Sequence, residues 1–327
     1  MSTIKNRQLF VQVGFPKTAT TTLQREIYPL LCKYTKYSYW REDPNLEHLI
    51  ATSKFKASMA FQCERIEIPE FTLVSLESLI NTDPRRWESQ GISNRETFGE
   101  DAHILIVLRE PRSYLSSLYT ELCVHSGLAQ RPEHFFLREN EYSEHFMAPI
   151  FSIDEFSYKR IIDIYRKLFK MVTIVKLERL PKLDFVNDFF DIDDVQLANM
   201  KNRFEIKRHN RGFSVRSVKT LFFLNRVASL VGFSFGLHPN NSSVDNLRNT
   251  NIKGPEGPVR RRTVVLTIKF LKRNLKRLNW YLLLKAIDRV FPSKKFELNF
   301  DELPYINIDK LDAEYMATPE YKTYSRE

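Results

Sequence analysis

A chain of 327 residues, 43% of them hydrophobic, can bury a large core, as one α/β domain with additions or as two smaller domains, and one domain is the simpler reading. Fifty basic against 40 acidic residues give a formal charge of +10, which suits an anionic cofactor, an anionic membrane surface or a nucleic acid about equally. The three cysteines, Cys32, Cys63 and Cys123, are scattered and without CxxC spacing, which argues against a disulfide framework or a zinc site and for a reducing compartment.

Leu9 to Val13, LFVQV, is a short apolar run of the kind that makes a buried parallel strand, and Gly14-Phe15-Pro16 ends it with turn chemistry. A strand starting this early leaves no room for a signal peptide or N-terminal anchor, and no apolar run approaches a membrane span, so the expected location is the cytoplasm. From Thr20 to Leu31 the apolar Leu23, Ile27, Leu30 and Leu31 fall at helical spacing, with threonines at the start to supply N-cap oxygens. A loop between a strand end and a helix start is an anion site, because the unpaired N–H groups and the helix dipole both face it. Lys17 adds a mobile charge, and Thr18, Thr20, Thr21 and Thr22 add hydroxyl donors, so the loop is expected to hold the phosphate end of a nucleotide. The plainer alternative is a threonine-rich helix cap with a surface lysine.

Tyr34 to Trp40 is aromatic and reads as core filling in preference to a sugar-stacking platform, and Asn45 to Phe61 reads as helix. Phe71 to Leu76 is a second apolar strand with Glu77 at its carboxyl end. Ligands of open parallel sheets bind beyond those ends, so Glu77 is a candidate general base for a hydroxyl, against the alternative of a capping or salt-bridged glutamate. Ile104 to Leu108 is a third strand, topped by Arg109. A nucleoside triphosphatase usually has a magnesium-binding aspartate at such a position, so an arginine argues for a cofactor handled without metal. Pro111 opens a helix through Tyr114, Leu115, Leu118 and Leu122 that carries Ser117, with Arg112 facing solvent.

Residues 123–150 are polar, aromatic and irregular and read as an insertion on the acceptor side, and His125, His134 and His145 lack metal-ligand spacing and read as surface or capping histidines, with one of them a rival to Glu77 as base. Ser157 to Lys170 is an amphipathic helix, and Met171 to Leu177 another strand. Residues 259–291 form a cationic helix pattern with a stripe through Val264, Ile268, Leu271, Leu275, Leu278 and Leu282. Such a helix can lie on an anionic membrane or dock on the sheet with a solvated basic face, and docking is favoured. The tail beyond Pro304 carries no motif.

PKTATTTL, starting at Pro16, lacks the GxxxxGK[ST] spacing of the Walker loop and resembles the 5′-phosphosulfate loop PK[ST]GTTWL of the sulfotransferases. Ala19 stands in place of the glycine, which asks for unstrained backbone there, and Thr22 in place of a tryptophan. The strand–Arg109–x7–Ser117 arrangement resembles that family's second motif, in which arginine and serine hold the 3′-phosphate. The resemblance covers about residues 8–230. It implies an α/β three-layer sandwich with a central parallel sheet, of the P-loop nucleoside-triphosphate-hydrolase-like kind. The whole of 1–327 would form one domain, with a core over about 8–230 and a helical, irregular C-terminal extension over about 231–327.

The resemblance further implies 3′-phosphoadenosine 5′-phosphosulfate as co-substrate, no metal, and a hydroxyl acceptor, with carbohydrate or glycolipid favoured and no nucleic acid partner. Lys17 and Glu77 would be catalytic, and Lys17, Thr18, Ala19, Thr20, Thr21, Thr22, Arg109 and Ser117 would bind the nucleotide. VTIVKLERL resembles the family's later strand and turn, which makes Glu178 structural. Asn210 to Val227 is similar to a late segment of bacterial members, where Arg211 and Gly212 can close over the cofactor; Lys253 and Gly254, next to the basic helix, are a separate candidate contact. The rivals are a magnesium-dependent kinase or phosphotransferase and a non-catalytic protein that binds membranes or polyanions through the basic helix.

Overall fold

The computed structural model describes residues 9–40, 68–76, 79–125, 131–138, 151–183, 185–186, 190, 192–203, 213–230, 280–291 and 293–326. Its strands are β1 (Leu9–Val13), β2 (Ser38–Trp40), β3 (Thr72–Leu76), β4 (His103–Leu108), β5 (Phe136–Leu137), β6 (Phe151–Ser152), β7 (Met171–Lys176) and β8 (Tyr321–Ser325). Six of them form the main sheet in the order β2-β3-β1-β4-β7-β8, and β5 pairs with β6 in a separate parallel ladder. The first five strands of the sheet run parallel, with Val11 opposite Val74 on one side and Ile104 on the other; β8 alone is antiparallel, with Val175 opposite Tyr321.

Strand residues alternate between two apolar clusters. Leu9, Val11, Val13, Ile104, Ile106 and Leu108 face one, together with Tyr114, Leu115 and Leu118 of the helix Pro111–Tyr119 and Ile161 and Tyr165 of the helix Tyr158–Leu168. Phe10, Leu73, Leu105, Val107 and Val175 face the other, together with Leu23, Ile27, Tyr28 and Leu31. A sheet covered by helices on both faces is an α/β arrangement compatible with a three-layer sandwich, and it explains why its central strands read as largely apolar runs.

The connections position the site. From β1 the chain crosses one face to reach β2, and from β4 it crosses the opposite face to reach β7. The strand order therefore switches direction between β1 and β4, the position at which open α/β sheets hold ligands in a crevice beyond the carboxyl ends. Gln12, the polar exception in β1, accepts hydrogen bonds from the hydroxyls of Tyr28 and Ser75, and Gln24 donates to the Ser75 carbonyl at 3.0 Å, fixing the helix that follows the loop to β1 and β3.

Two expected features differ. Residues 123–150 were expected to be irregular, yet Phe135 and Phe136 are fully buried against Tyr119 and Phe151, because β5 and its partner β6 fold them into the core. The C-terminal stretch expected as a helical extension contains the helix Ile308–Ala317 but also β8, so it completes the main sheet. The aromatic stretch at Tyr34 is core as expected: Tyr37 meets Phe10 edge-on at 4.8 Å. Of the basic helix, Trp280–Val290 is described and docks on the helix Val215–Leu230, where the Ser217 hydroxyl donates to the Leu284 carbonyl at 3.0 Å; residues 259–279 lie outside the described residues, as does the helix expected over 45–61.

At the end of the sheet away from the crevice, His103 Nε2 lies 2.8 Å from Thr173 Oγ1, which in turn lies 2.8 Å from Thr323 Oγ1 on β8. Burial holds the imidazole at about 4, below its ordinary 6.5, because the cation cannot be hydrated there. Below pH 6.5 the unfolded chain takes up a proton that the folded chain refuses. Stability is therefore expected to fall by about 3 kcal/mol from pH 6.5 to pH 4, and His103→Gln should flatten that limb in urea titrations at several pH values.

Candidate functional site

The loop after β1 is nailed down at Phe15. Its ring is 1% exposed and meets Trp87 and Tyr114 edge-on at 5.5 Å each and Tyr158 at 6.1 Å. Its carbonyl accepts the Thr18 hydroxyl at 2.7 Å, so that hydroxyl proton, expected to point at a ligand, is turned inward to close the loop.

On either side of Thr18 the backbone is left-handed, φ 68° at Lys17 and 60° at Ala19. The expectation of unstrained backbone at Ala19 is thus corrected, and so is the capping: Ala19 itself is the N-cap, without a side-chain hydrogen bond, and the threonines lie inside the first turn. An alanine here carries about 1–2 kcal/mol of strain that a glycine would not, the sort of strain that accumulates at functional loops. Set against the greater freedom a glycine has when unfolded, Ala19→Gly should raise stability by about 0.5–1 kcal/mol in urea denaturation. Backbone of this alternating kind turns successive amides to one side as an anion nest. The amides of Thr21 and Thr22 find no acceptor among the described residues. The helix is α-helical over Thr20–Thr22, π-helical over Leu23–Ile27 and α-helical again over Tyr28–Tyr34.

Arg109 leaves the end of β4 on the other side of the crevice. Its Nη1 donates to the Lys17 carbonyl at 2.9 Å, joining positions far apart in the sequence. Tyr158 donates its hydroxyl to the Arg109 carbonyl and so fixes the backbone from behind. Burial pushes the guanidinium below its ordinary pKa, opposed by Tyr158, Glu110, Glu178 and Tyr315 around it, and an arginine so placed stays charged. Among the described residues the other Arg109 donors have no acceptor. Glu110 caps the next helix through the amides of Arg112 and Ser113. Arg112 is exposed as expected and pairs with Asp312 at 2.9 Å. Glu178 is structural as expected, accepting the Tyr315 hydroxyl at 2.7 Å.

The residue that sequence reading missed is Glu121. Its carboxylate meets the Lys17 ammonium at 2.7 Å, with both side chains partly open to solvent. Glu121 lies one turn beyond Ser117, so the contact turns the helix face carrying Ser117 toward the loop. The half-exposed Ser117 hydroxyl makes no bond among the described residues, while Ser116 turns inward and accepts the Leu298 amide at 3.1 Å. Nothing in the spacing announced Glu121, because a lone glutamate in a polar stretch has no motif. A phosphate bound at the loop has to take Lys17 from Glu121. Glu121→Gln is therefore expected to tighten inorganic pyrophosphate binding about two- to fivefold in calorimetric titration.

Lys295 is a second addition. It lies in a bridge with Ser214, and partial burial followed by the Arg109 charge pushes its pKa down, opposed by Glu297, so Lys295 is a second cation within electrostatic reach of Arg109. Glu77, Arg211, Gly212, Lys253, Gly254 and His145 lie outside the described residues, and of the side chains of His125 and His134 nothing is described. The crevice thus combines Lys17, Arg109 and Lys295 with free amides, a set suited to a ligand with more than one phosphate. No protein-family model matches the chain, and no curated protein matches it.

Proposed function

We propose that the chain is a cytoplasmic sulfotransferase on a P-loop nucleoside-triphosphate-hydrolase-like fold, moving a sulfuryl group from 3′-phosphoadenosine 5′-phosphosulfate to a hydroxyl of a carbohydrate or glycolipid. The observation that carries this is the contact of Arg109 with the Lys17 carbonyl. The two stretches resembling sulfotransferase motifs, remote in sequence, meet at one crevice where the strand order switches. Both support the reading more than either alone.

The nucleotide supplies the sulfuryl group. Lys17 and the amides at the start of the helix bind its 5′ end and neutralise charge on the departing oxygen, the role that preorganised donors play in such transfers. Arg109 and Ser117 take the 3′-phosphate, with Lys295 adding charge from one side. Glu77 accepts the proton of the attacking hydroxyl. Because Lys17 is paired with Glu121, nucleotide binding releases one carboxylate next to the reacting group.

Calorimetric titration with 3′-phosphoadenosine 5′-phosphate and with adenosine 5′-phosphate tests the reading. The first should bind at least about tenfold more tightly, since an arginine–phosphate contact contributes about 1.5–3 kcal/mol. Equal affinities would overturn it, and magnesium-dependent preference for ATP would establish the kinase alternative instead.

A further inference from the structure

We infer that the face formed by the start of the helix Val215–Leu230 and the end of the helix Trp280–Val290 docks on an anionic membrane surface. On the first helix, Ser217, Val218 and Leu221 are buried, while Arg216, Lys219, Thr220 and Phe223 recur on the outer side at the spacing of neighbouring turns. Together with Val215 and Ser293 they line an open cavity of about 460 Å³. Phe223 is 65% exposed, and at the end of the second helix Val290 and Phe291 are 65% and 52% exposed. The Arg216 guanidinium lies over the Phe291 ring at 5.5 Å, which ties the two helices' apolar tips into one patch.

The charge around these tips is predominantly positive. Neither Arg216 nor Lys219 has an ion-pair partner among the described residues, and no acid lines the cavity. Arg289 and Lys294 are exposed beside them. The nearest carboxylate, Asp288, is engaged by the Ser214 amide and the Ser217 hydroxyl. Aromatic and aliphatic tips set among unpaired cations suit an interface of acyl chains below anionic headgroups, where each feature has a complement. Among the described residues no helix is long and apolar enough to cross a membrane, so the contact is with the surface.

The patch is joined to the nucleotide crevice. The Lys294 carbonyl accepts the Val215 amide at 2.9 Å, Phe296 packs on Tyr119 at 6.0 Å, and the Leu298 amide bonds Ser116, the neighbour of Ser117. One short segment, residues 294–298, therefore touches both the patch and the helix that carries Ser117. Resting here on the sulfotransferase reading, we assign the acceptor to the membrane: a hydroxyl carried by a lipid-linked sugar.

The test is sedimentation of the full chain with phosphatidylcholine vesicles, with and without phosphatidylglycerol. Wild type should pellet only with the anionic vesicles. The Arg216→Glu/Lys219→Glu pair should lower the partition coefficient at least about thirtyfold, and Phe223→Ser/Phe291→Ser about tenfold. All four side chains are at the surface, and unchanged thermal melting and unchanged binding of 3′-phosphoadenosine 5′-phosphate would show the variants folded. Equal pelleting of variants and wild type would overturn the inference in favour of the 259–279 stretch. Absence of wild-type pelleting, or equal pelleting with neutral vesicles, would overturn it too. In each case retained nucleotide binding would leave the sulfotransferase reading standing.

Discussion

Arg109→Ala is expected to weaken 3′-phosphoadenosine 5′-phosphate about 30- to 2,000-fold and adenosine 5′-phosphate only about 2- to 10-fold. The inequality has two sources. A guanidinium contact to the 3′-phosphate is charge-assisted and contributes about 1.5–3 kcal/mol, a loss felt only by the ligand that carries that phosphate. The contact already made, from Nη1 to the Lys17 carbonyl at 2.9 Å, braces the loop for either nucleotide, and its removal costs about 0.5–1.5 kcal/mol. Arg109→Lys keeps the charge without the fork and should recover part of the difference. Calorimetry with both nucleotides decides the matter. An equal loss for both would mean that Arg109 acts on the loop alone and reads no 3′-phosphate.

Phe15→Ala should cost about 3–5 kcal/mol of folding stability, the range for deleting a buried aromatic ring. The ring is the hub of edge-on contacts to Trp87, Tyr114 and Tyr158, each bringing in a different helix. Such pairs contribute about 0.5–1.5 kcal/mol beyond their buried area. Because the same residue's carbonyl holds Thr18, the loss of the ring should also loosen the left-handed backbone at Lys17 and Ala19. Guanidinium titration reads the first effect and pyrophosphate affinity the second. Phe15→Leu should lose less of both, and a Phe15→Ala variant as stable as wild type would contradict the packing.

Four of the parallel strands were legible because a strand covered on both faces is written as a largely apolar run, as in LFVQV, TLVSL and HILIVL, whereas β2 was read only as aromatic core filling. β8 was not, because YKTYS is a half-exposed edge strand whose polar residues are tolerated on the outer side. Pro111 marked its helix by the rule for first helical positions, whereas Ala19 misled: its methyl group argued for relaxed backbone, and tertiary anchoring at Phe15 prevailed over that local preference. Lys17 and Arg109 carried recognisable spacing on strand-to-helix junctions. Glu121 and Lys295 reach the crevice through long-range folding, and long-range proximity has no signature in a single sequence.

The partner of β7 on its open side comes from far along the chain. A ribosome that has just released Met171–Lys176 must still add residues 177–320 before β8 can be made, roughly 7–30 s at ordinary elongation rates. Throughout that interval five parallel strands can assemble with one flank of unpaired amides and carbonyls open to other chains. Overexpression should therefore be governed by this window, and slowing initiation or supplying a chaperone that shields exposed backbone should raise the yield more than stabilising the finished protein does.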